Sequence, residues 1–351
     1  MTRTIRRTVL WPSRLALAAV LAAVLATVLA AELVGAPGAD ALPPWVLYAP
    51  FAASVLLFGL PHGAVDHLAM LRLARARAGP LPLLAVLAAY LAVGGAYAAL
   101  WFTAPATAFA SFIALTWLHW GQGDVHALVG LEGARHLNTR AARLGTAFVR
   151  GALPMLVPLL AHPEAYRAVA EAVVDRIAPG AADALAWAFS PGFRRTAGAA
   201  LGLTAAALLA HGQRVPGARA DALRDAADVA LLGLFFWFVP PVLAVGLYFS
   251  LWHAPRHIAR LLAADAPAAD ALGAGRSAPA WGRFALAAAP LTLGALAFGA
   301  ALYAAVPVPP DEWQGYLGLY LILIAALTLP HTLVVLAMDR AQGVWSPPGP
   351  A

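Results

Sequence analysis

Apolar residues run through this chain in long unbroken blocks, not in the alternation of a half-buried strand or the one-sided stripe of a water-facing helix. The blocks fall near residues 15–34, 46–70, 81–103, 107–129, 144–161, 196–211, 229–262, 284–306 and 315–337. A helix crossing a bilayer core needs roughly 17–25 mostly apolar residues, and most of the blocks suit that length. The 229–262 block would measure about 51 Å as one helix, and Pro240 and Pro241 inside it remove a donor and clash with the preceding turn. It is therefore read as two segments, the first short and starting beside Arg224, Asp225 and Asp228, where a re-entrant hairpin is the alternative. Lipid offers no partner for an unpaired backbone group, so the segments are expected to be helices. The expected fold is all-α: a polytopic transmembrane bundle of about ten helices, within a range of roughly 8–10. One integral membrane domain over 1–351 is expected, with an extra helix and loop at 1–45 and the main bundle at 46–338.

Composition agrees. Of 351 residues, 62% are apolar and 11% charged, against about 45–50% and about 25% in soluble domains. All 23 basic residues are arginine, and there is neither lysine nor cysteine. The missing cysteine excludes thiolate metal sites, iron–sulfur clusters, c-type haem attachment and disulfides. The missing lysine excludes a retinal Schiff base, so the chain is not itself an opsin. The net charge of +6 is explained by topology without nucleic acid. Arg3, Arg6, Arg7 and Arg14 precede the first segment, and Arg72, Arg75 and Arg77 follow the second. Arg135, Arg140, Arg143 and Arg150 follow the fourth, Arg214, Arg219 and Arg224 the sixth, and Arg256, Arg260, Arg276 and Arg283 the eighth. The intervening loops are arginine-poor or acidic, with Glu32, Asp40, Asp311 and Glu312. The positive-inside bias then places alternate loops and both termini in the cytoplasm, as a multi-pass protein of the cytoplasmic membrane. The 162–195 loop, with arginines among acids, is expected as an amphipathic segment, and 263–281 as a plain loop. The small-residue stretch Gly35–Ala41 resembles a signal cleavage site, but an uncleaved first helix fits the charge parity.

Ten histidines are present. His136, His162 and His211 fall at loops or helix ends, where solvated side chains are the plain expectation. The other seven lie within or beside apolar blocks, where ionisable residues are costly and mark a cavity, pathway or site. At about 1.5 Å per residue, His62, His119, His253, His257 and His331 come to depths of about 24, 18, 17, 22 and 24 Å. His253 and His257 in WHAPRH share one helix face at i, i+4 and can bind one ion from successive turns. In GLPHGAVDH, Asp66 lies four residues after His62 and is expected to take its ring N–H, while His67 points about 140° away. In WLHWGQGDVH, Gly121 and Gly123 permit close approach and Gln122 offers an amide beside His119. His126, about 10 Å from His119 along the helix, is too far to share an ion. Four neutral imidazoles would leave a divalent metal its charge and two open positions. Imidazole suits iron, copper and zinc alike; a zinc hydrolase with Asp66 or Asp124 as base is weakened, since such sites use three ligands. Aromatic residues crowd the same segments. Belts and helix packing account for many such residues, but as walls of a cavity for a long apolar molecule the candidates are Trp117, Trp120, Tyr248, Phe249 and Trp252.

GLPHGAVDH, WLHWGQGD, WHAPRH and LPHTLVV, in that order, resemble the Brp/Blh family of bacterial and archaeal membrane β-carotene 15,15′-dioxygenases over roughly residues 55–338. The resemblance implies central cleavage of β-carotene by O2 into two all-trans-retinal, with a microbial rhodopsin as retinal acceptor. It also implies a catalytic non-haem Fe2+ held by His62, His119, His253 and His257. His331 matches the later PH motif, either lining the cavity or binding near the metal. Asp66, Gln122 and Asp124 are expected around the ligands. Ala254 departs from the small polar residue expected there.

Other readings compete. A haem cytochrome wants axial ligands from facing helices, for which an i, i+4 pair is awkward. A di-iron desaturase or hydroxylase wants about eight histidines in HxxxH and HxxHH boxes, and one HxxxH occurs. A proton-coupled transporter could use Asp66, Asp124 and the histidines as a relay.

Overall fold

The computed structural model describes residues 1–34, 43–75, 79–305 and 313–346. The Gly35–Ala41 stretch and the loop charges Asp40, Arg77, Asp311 and Glu312 lie outside the described residues. Among those described the chain is helical and has no strand. In chain order the helices of eight residues or more are α1 (2–34), α2 (44–73), α3 (Pro80–Thr103), α4 (105–132), α5 (Arg140–Ala161), α6 (Pro163–Val174), α7 (Pro191–Arg214), α8 (Arg219–Phe238), α9 (241–264), α10 (Ala266–Gly273), α11 (Ser277–Ala305) and α12 (Trp313–Ala341), with short helical turns at Ala181–Leu185 and Ala186–Phe189. Apart from the short α6 and α10, this is the expected set of about ten helices. Six, namely α1, α2, α3, α5, α11 and α12, are long and apolar enough to cross a membrane. The remaining long ones, α4, α7, α8 and α9, carry many of the histidines, arginines and aspartates.

The bundle is built around α5, whose side chains are mostly buried. It packs on α4, α7 and α8, while α3 and α11 face outward. Glycine sets the tightest crossing. A Cβ on Gly121 would lie 2.0 Å from the Ala147 carbonyl oxygen, and one on Gly151 would lie 2.0 Å from that of Trp117. The backbones of α4 and α5 therefore touch where side chains would otherwise hold them apart. The Thr139 hydroxyl starts α5 by accepting from the Ala142 N–H at 3.0 Å.

Several boundaries differ from the sequence reading. The break at Pro240–Pro241 is present, between α8 and α9. The segment before it is a full helix that begins at Arg219, not a short piece from 229. Its charges are carried inside because they are paired. Arg14 of α1 donates to both Asp228 oxygens at 2.7 Å and to Glu132 at 2.7 Å. Arg150 of α5 donates to Asp225 and lies 3.5 Å from Asp124 and Asp228. His136, expected in solvent, is buried, with its Nε2 2.9 Å from Asp225. His162 and His211 stay at partly open positions beside Trp237 O and Asn138. The 263–281 stretch contains α10, whose Ala268, Ala271 and Leu272 pack into an apolar cluster with Ile5, Val9 and Leu10 of α1. In the 162–195 stretch, α6 buries Ala170, Val173 and Val174 and meets α12 at Gly318.

Breaking one side of a buried ion pair costs about 3–5 kcal/mol, so Arg14→Ala, which strands Glu132 and leaves Asp228 only Arg150 at 3.5 Å, is expected to lower the thermal midpoint in detergent sharply. Gly121→Ala drives a methyl group into a backbone carbonyl and is expected to cost about 3 kcal/mol or more, read in the same melting experiment.

Candidate metal centre

The histidines of interest sit where their helices are locally irregular. In α2 a wide turn over Val55–Gly59 is followed by Leu60–Ala64, a break at Val65, and a restart at Asp66. Pro61 lies at the start of the middle piece. Widened turns loosen backbone carbonyls and recur at functional sites. Here the His62 Nδ1–H takes two of them, Gly59 O at 2.5 Å and Phe58 O at 3.2 Å. That bond puts the ring hydrogen on Nδ1 and leaves the Nε2 lone pair bare. In α9 a second wide turn, Phe249–His253, precedes Pro255, so His253 and His257 flank a rewound segment. In α12, Pro330 directly precedes His331. Proline thus stands next to, or between, the histidines on three of the four helices involved.

These local features bring five buried imidazoles together. The ring centroids of His62 and His331 are 4.7 Å apart, those of His119 and His331 4.7 Å, and those of His257 and His331 5.1 Å. His119 and His253 are 4.9 Å apart, and His62 lies 5.6 Å from His257 and 5.9 Å from His253. The Nε2 atoms of His119 and His253 approach to 3.1 Å. Ring nitrogens of His62, His119 and His331 lie within 4.8 Å of one another, as do donor atoms of Asp66, His257 and His331. His62 Nε2, His119 Nδ1, His257 Nε2 and His331 Nε2 are buried without a protein partner. A buried polar atom without a partner costs about 1–3 kcal/mol, and converging imidazole lone pairs in an apolar interior are what a divalent transition metal satisfies. The donor set fits a metal ion. By itself it does not select which one.

Asp66 is the clearest departure from the sequence reading. Its Oδ2 accepts from His331 Nδ1 at 2.7 Å, not from His62. The break at Val65 turns Asp66 off the regular i, i+4 line, and His62 has already spent its Nδ1–H on backbone carbonyls. Tyr90 of α3 joins them, its hydroxyl within 3.3 Å of Asp66 Oδ2 and 3.2 Å of Leu327 O. Sequence reasoning missed Tyr90, although a tyrosine inside an otherwise apolar span was a visible signal. It also counted Arg150 as a loop marker; lying inside an apolar block, this arginine is fully buried in the charge network.

The remaining candidates divide into two groups. Gln122 is fully buried one turn from His119, with neither amide atom bonded within the protein. Phe249 lies against His62 and His253 at 5.3 and 5.7 Å, and Trp120 lies 5.5 Å from His253 and 5.0 Å from Tyr248. Asp124 and Trp252 belong to a different setting. The indole N–H donates to Asp124 at 3.0 and 3.1 Å, and the Arg256 guanidinium covers the ring at 3.5 Å. Trp117 points outward to Phe148, donating to its carbonyl at 2.8 Å. His126 is buried against Gly130, and His67 bonds Ala64 O at 3.0 Å; neither joins the cluster.

An all-helical bundle with a buried histidine cluster defines a membrane protein equipped to hold a metal. The family model described as β-carotene 15,15′-dioxygenase matches residues 53–339, and the chain belongs to that family of carotenoid-cleaving enzymes. It is 45% identical over 304 residues to a Halobacterium salinarum protein named "Probable beta-carotene 15,15'-dioxygenase Blh", covering 87% of this chain and 88% of that one. It is 32% identical over 330 residues to "Probable beta-carotene 15,15'-dioxygenase Brp" of the same species, covering 91% and 90%. No solved structure matches the chain.

Gly123 provides a test that leaves every histidine in place. A Cβ there would lie 3.3 Å from His253 Cε1. Gly123→Ala is expected to displace that ring and lower metal content at least several-fold in purified protein, with Gly130→Ala, against the outlying His126, as the control that retains metal.

Proposed function

We propose that the chain cleaves β-carotene at its central double bond with O2, giving two molecules of all-trans-retinal, at an Fe2+ ion held by His62, His119, His253 and His257. The observation that carries this reading is the buried histidine cluster within a chain of this family: His62, His119 and His257 each keep an unpartnered ring nitrogen, and His253, which belongs to neither close-set group of donor atoms, enters through its Nε2, 3.1 Å from that of His119. When bound, the ferrous ion supplies the means to activate O2, which apolar side chains alone lack.

The protein's own contribution is binding, orientation and dryness. The 15,15′ bond of a symmetrical polyene offers no polar handle, so the position of the cut is set by how far each ring end travels past the cluster. Phe249 and Trp120 form an aromatic wall against His62 and His253 and hold the flat polyene chain across the imidazoles. His62 keeps its ring fixed through Gly59 and Phe58, so its Nε2 faces the cluster in one tautomer. Burial of the rings excludes water. Overall, one O2 is consumed as one C=C is cleaved to two aldehydes, with no net proton transfer. The substrate is drawn from the bilayer and the product passes to a microbial rhodopsin. The bundle lies in the cytoplasmic membrane with both termini inside, a reading supported by the arginines that are exposed, Arg72, Arg135, Arg140, Arg214 and Arg219 among them.

Purified protein given ferrous iron, O2 and β-carotene is expected to yield retinal, without a Soret band in its spectrum. His253→Ala is expected to lose metal and cleavage together, the latter by more than about 100-fold, by metal analysis and chromatography of retinal. Full activity in that variant would remove the ligand assignment; a Soret band would favour a haem protein.

A further inference from the structure

The cluster holds one more imidazole than the four assigned above, and it is the most central. His331 lies within 4.7–5.1 Å, centroid to centroid, of His62, His119 and His257. Both groups of side chains whose donor atoms converge closely enough for one ion include it. A histidine kept only to pair with an aspartate would turn its far nitrogen to a second partner or to solvent. His331 Nε2 instead is buried in the cluster with no protein partner.

Its near nitrogen is fixed just as firmly. His331 Nδ1 lies 2.7 Å from Asp66 Oδ2, and both residues are buried. Donation of Nδ1–H to the carboxylate sets the tautomer, so that Nε2 presents a lone pair to the other rings, and it raises the basicity of that nitrogen. Tyr90 approaches the same carboxylate oxygen from α3 at 3.3 Å. Gly63 borders the pair: a Cβ there would sit in ordinary contact with it, 3.6 Å from His331 Nδ1 and 3.9 Å from Asp66 Oδ2.

We propose that His331 is a fifth ligand of the metal in this site, turned and held by Asp66, with Tyr90 holding Asp66 in its turn. The proposal rests on the reading of the cluster as a metal centre. A fifth imidazole would leave the ion one fewer position for O2 or substrate than four would. The carboxylate, one hydrogen bond from the ion, offsets part of the charge that four neutral ligands would leave unbalanced. Asp66 and Tyr90 are positioning residues: they act through His331.

The test uses the full chain in detergent, stripped with a chelator and titrated with Co2+, read by metal binding and by the visible d–d bands, so that no turnover is needed. The unaltered protein is expected to take up about one equivalent. If it takes up none, the metal reading itself falls, which is a separate result from those below. His331→Gly is expected to weaken Co2+ binding by about 100-fold and change the band envelope, and added imidazole is expected to restore both. Asp66→Asn is expected to lose about 10-fold and Tyr90→Phe less, each with shifted bands. Wild-type affinity and bands in His331→Gly would overturn the proposal. So would a His331→Gly protein that keeps its size-exclusion profile yet is not rescued by imidazole. Should that variant fail to fold, His331→Gln serves in its place, and unchanged Co2+ affinity and bands there overturn the proposal equally.

Discussion

A lone pair or charge removed from water must find a partner inside the protein, and in a chain this apolar the demand governs everything that is not hydrocarbon. The structure meets it in two ways. Among arginines and acids the pairing is internal: Arg14 with Asp228 and Glu132, Arg150 with Asp225, Arg260 with Asp339 at 2.8 Å. Among the histidines it is not: Nε2 of His62, His257 and His331 and Nδ1 of His119 are buried with no hydrogen-bond partner in the protein. The contrast sets the histidine cluster apart as a group that could hold a metal ion. The arginines and acids are matched in ion pairs, whereas the imidazole nitrogens form a donor set that suits a cation.

The irregular turns explain how an incomplete cluster can be built on regular elements. A straight helix presents one face per three to four residues, too coarse a spacing to aim single rings. The wide turns at Val55–Gly59 and Phe249–His253 and the prolines at 61, 255 and 330 adjust the phase of α2, α9 and α12 just where their histidines leave the backbone. The α4–α5 contact holds His119 still, because helices in backbone contact at Gly121 and Gly151 have little freedom to slide. Each ring is thus set by backbone geometry, and side-chain hydrogen bonds refine it.

This division also decides what was legible in the sequence. The five deep histidines stood out because ionisable residues in apolar blocks are rare enough to carry meaning, and their motifs pointed to the family. Helix number followed from block length. The partner of Asp66 was misread because i, i+4 reasoning assumes an unbroken helix, and the helix is broken at Val65. For Trp252, the place beside His253 says nothing of its polar partner. Its indole nitrogen donates to Asp124, from a remote part of the chain, a pairing that local pattern does not contain. For the same reason the charged start of α8 read as a loop: its counterions Arg14 and Arg150 lie on α1 and α5.

The clamp at Arg14 also has a bearing on biosynthesis. Its acceptors lie 118 and 214 residues further along the chain. At about 5–20 residues per second of translation, the later of them follows the first helix by roughly 10–40 s. For about the first half of that interval neither acceptor of the guanidinium has been made, and for the rest only Glu132 has; a long arginine side chain can meanwhile keep its charge at the bilayer surface. The first helix synthesised is therefore among the last to be locked, and the growing bundle stays open along that seam until α8 arrives.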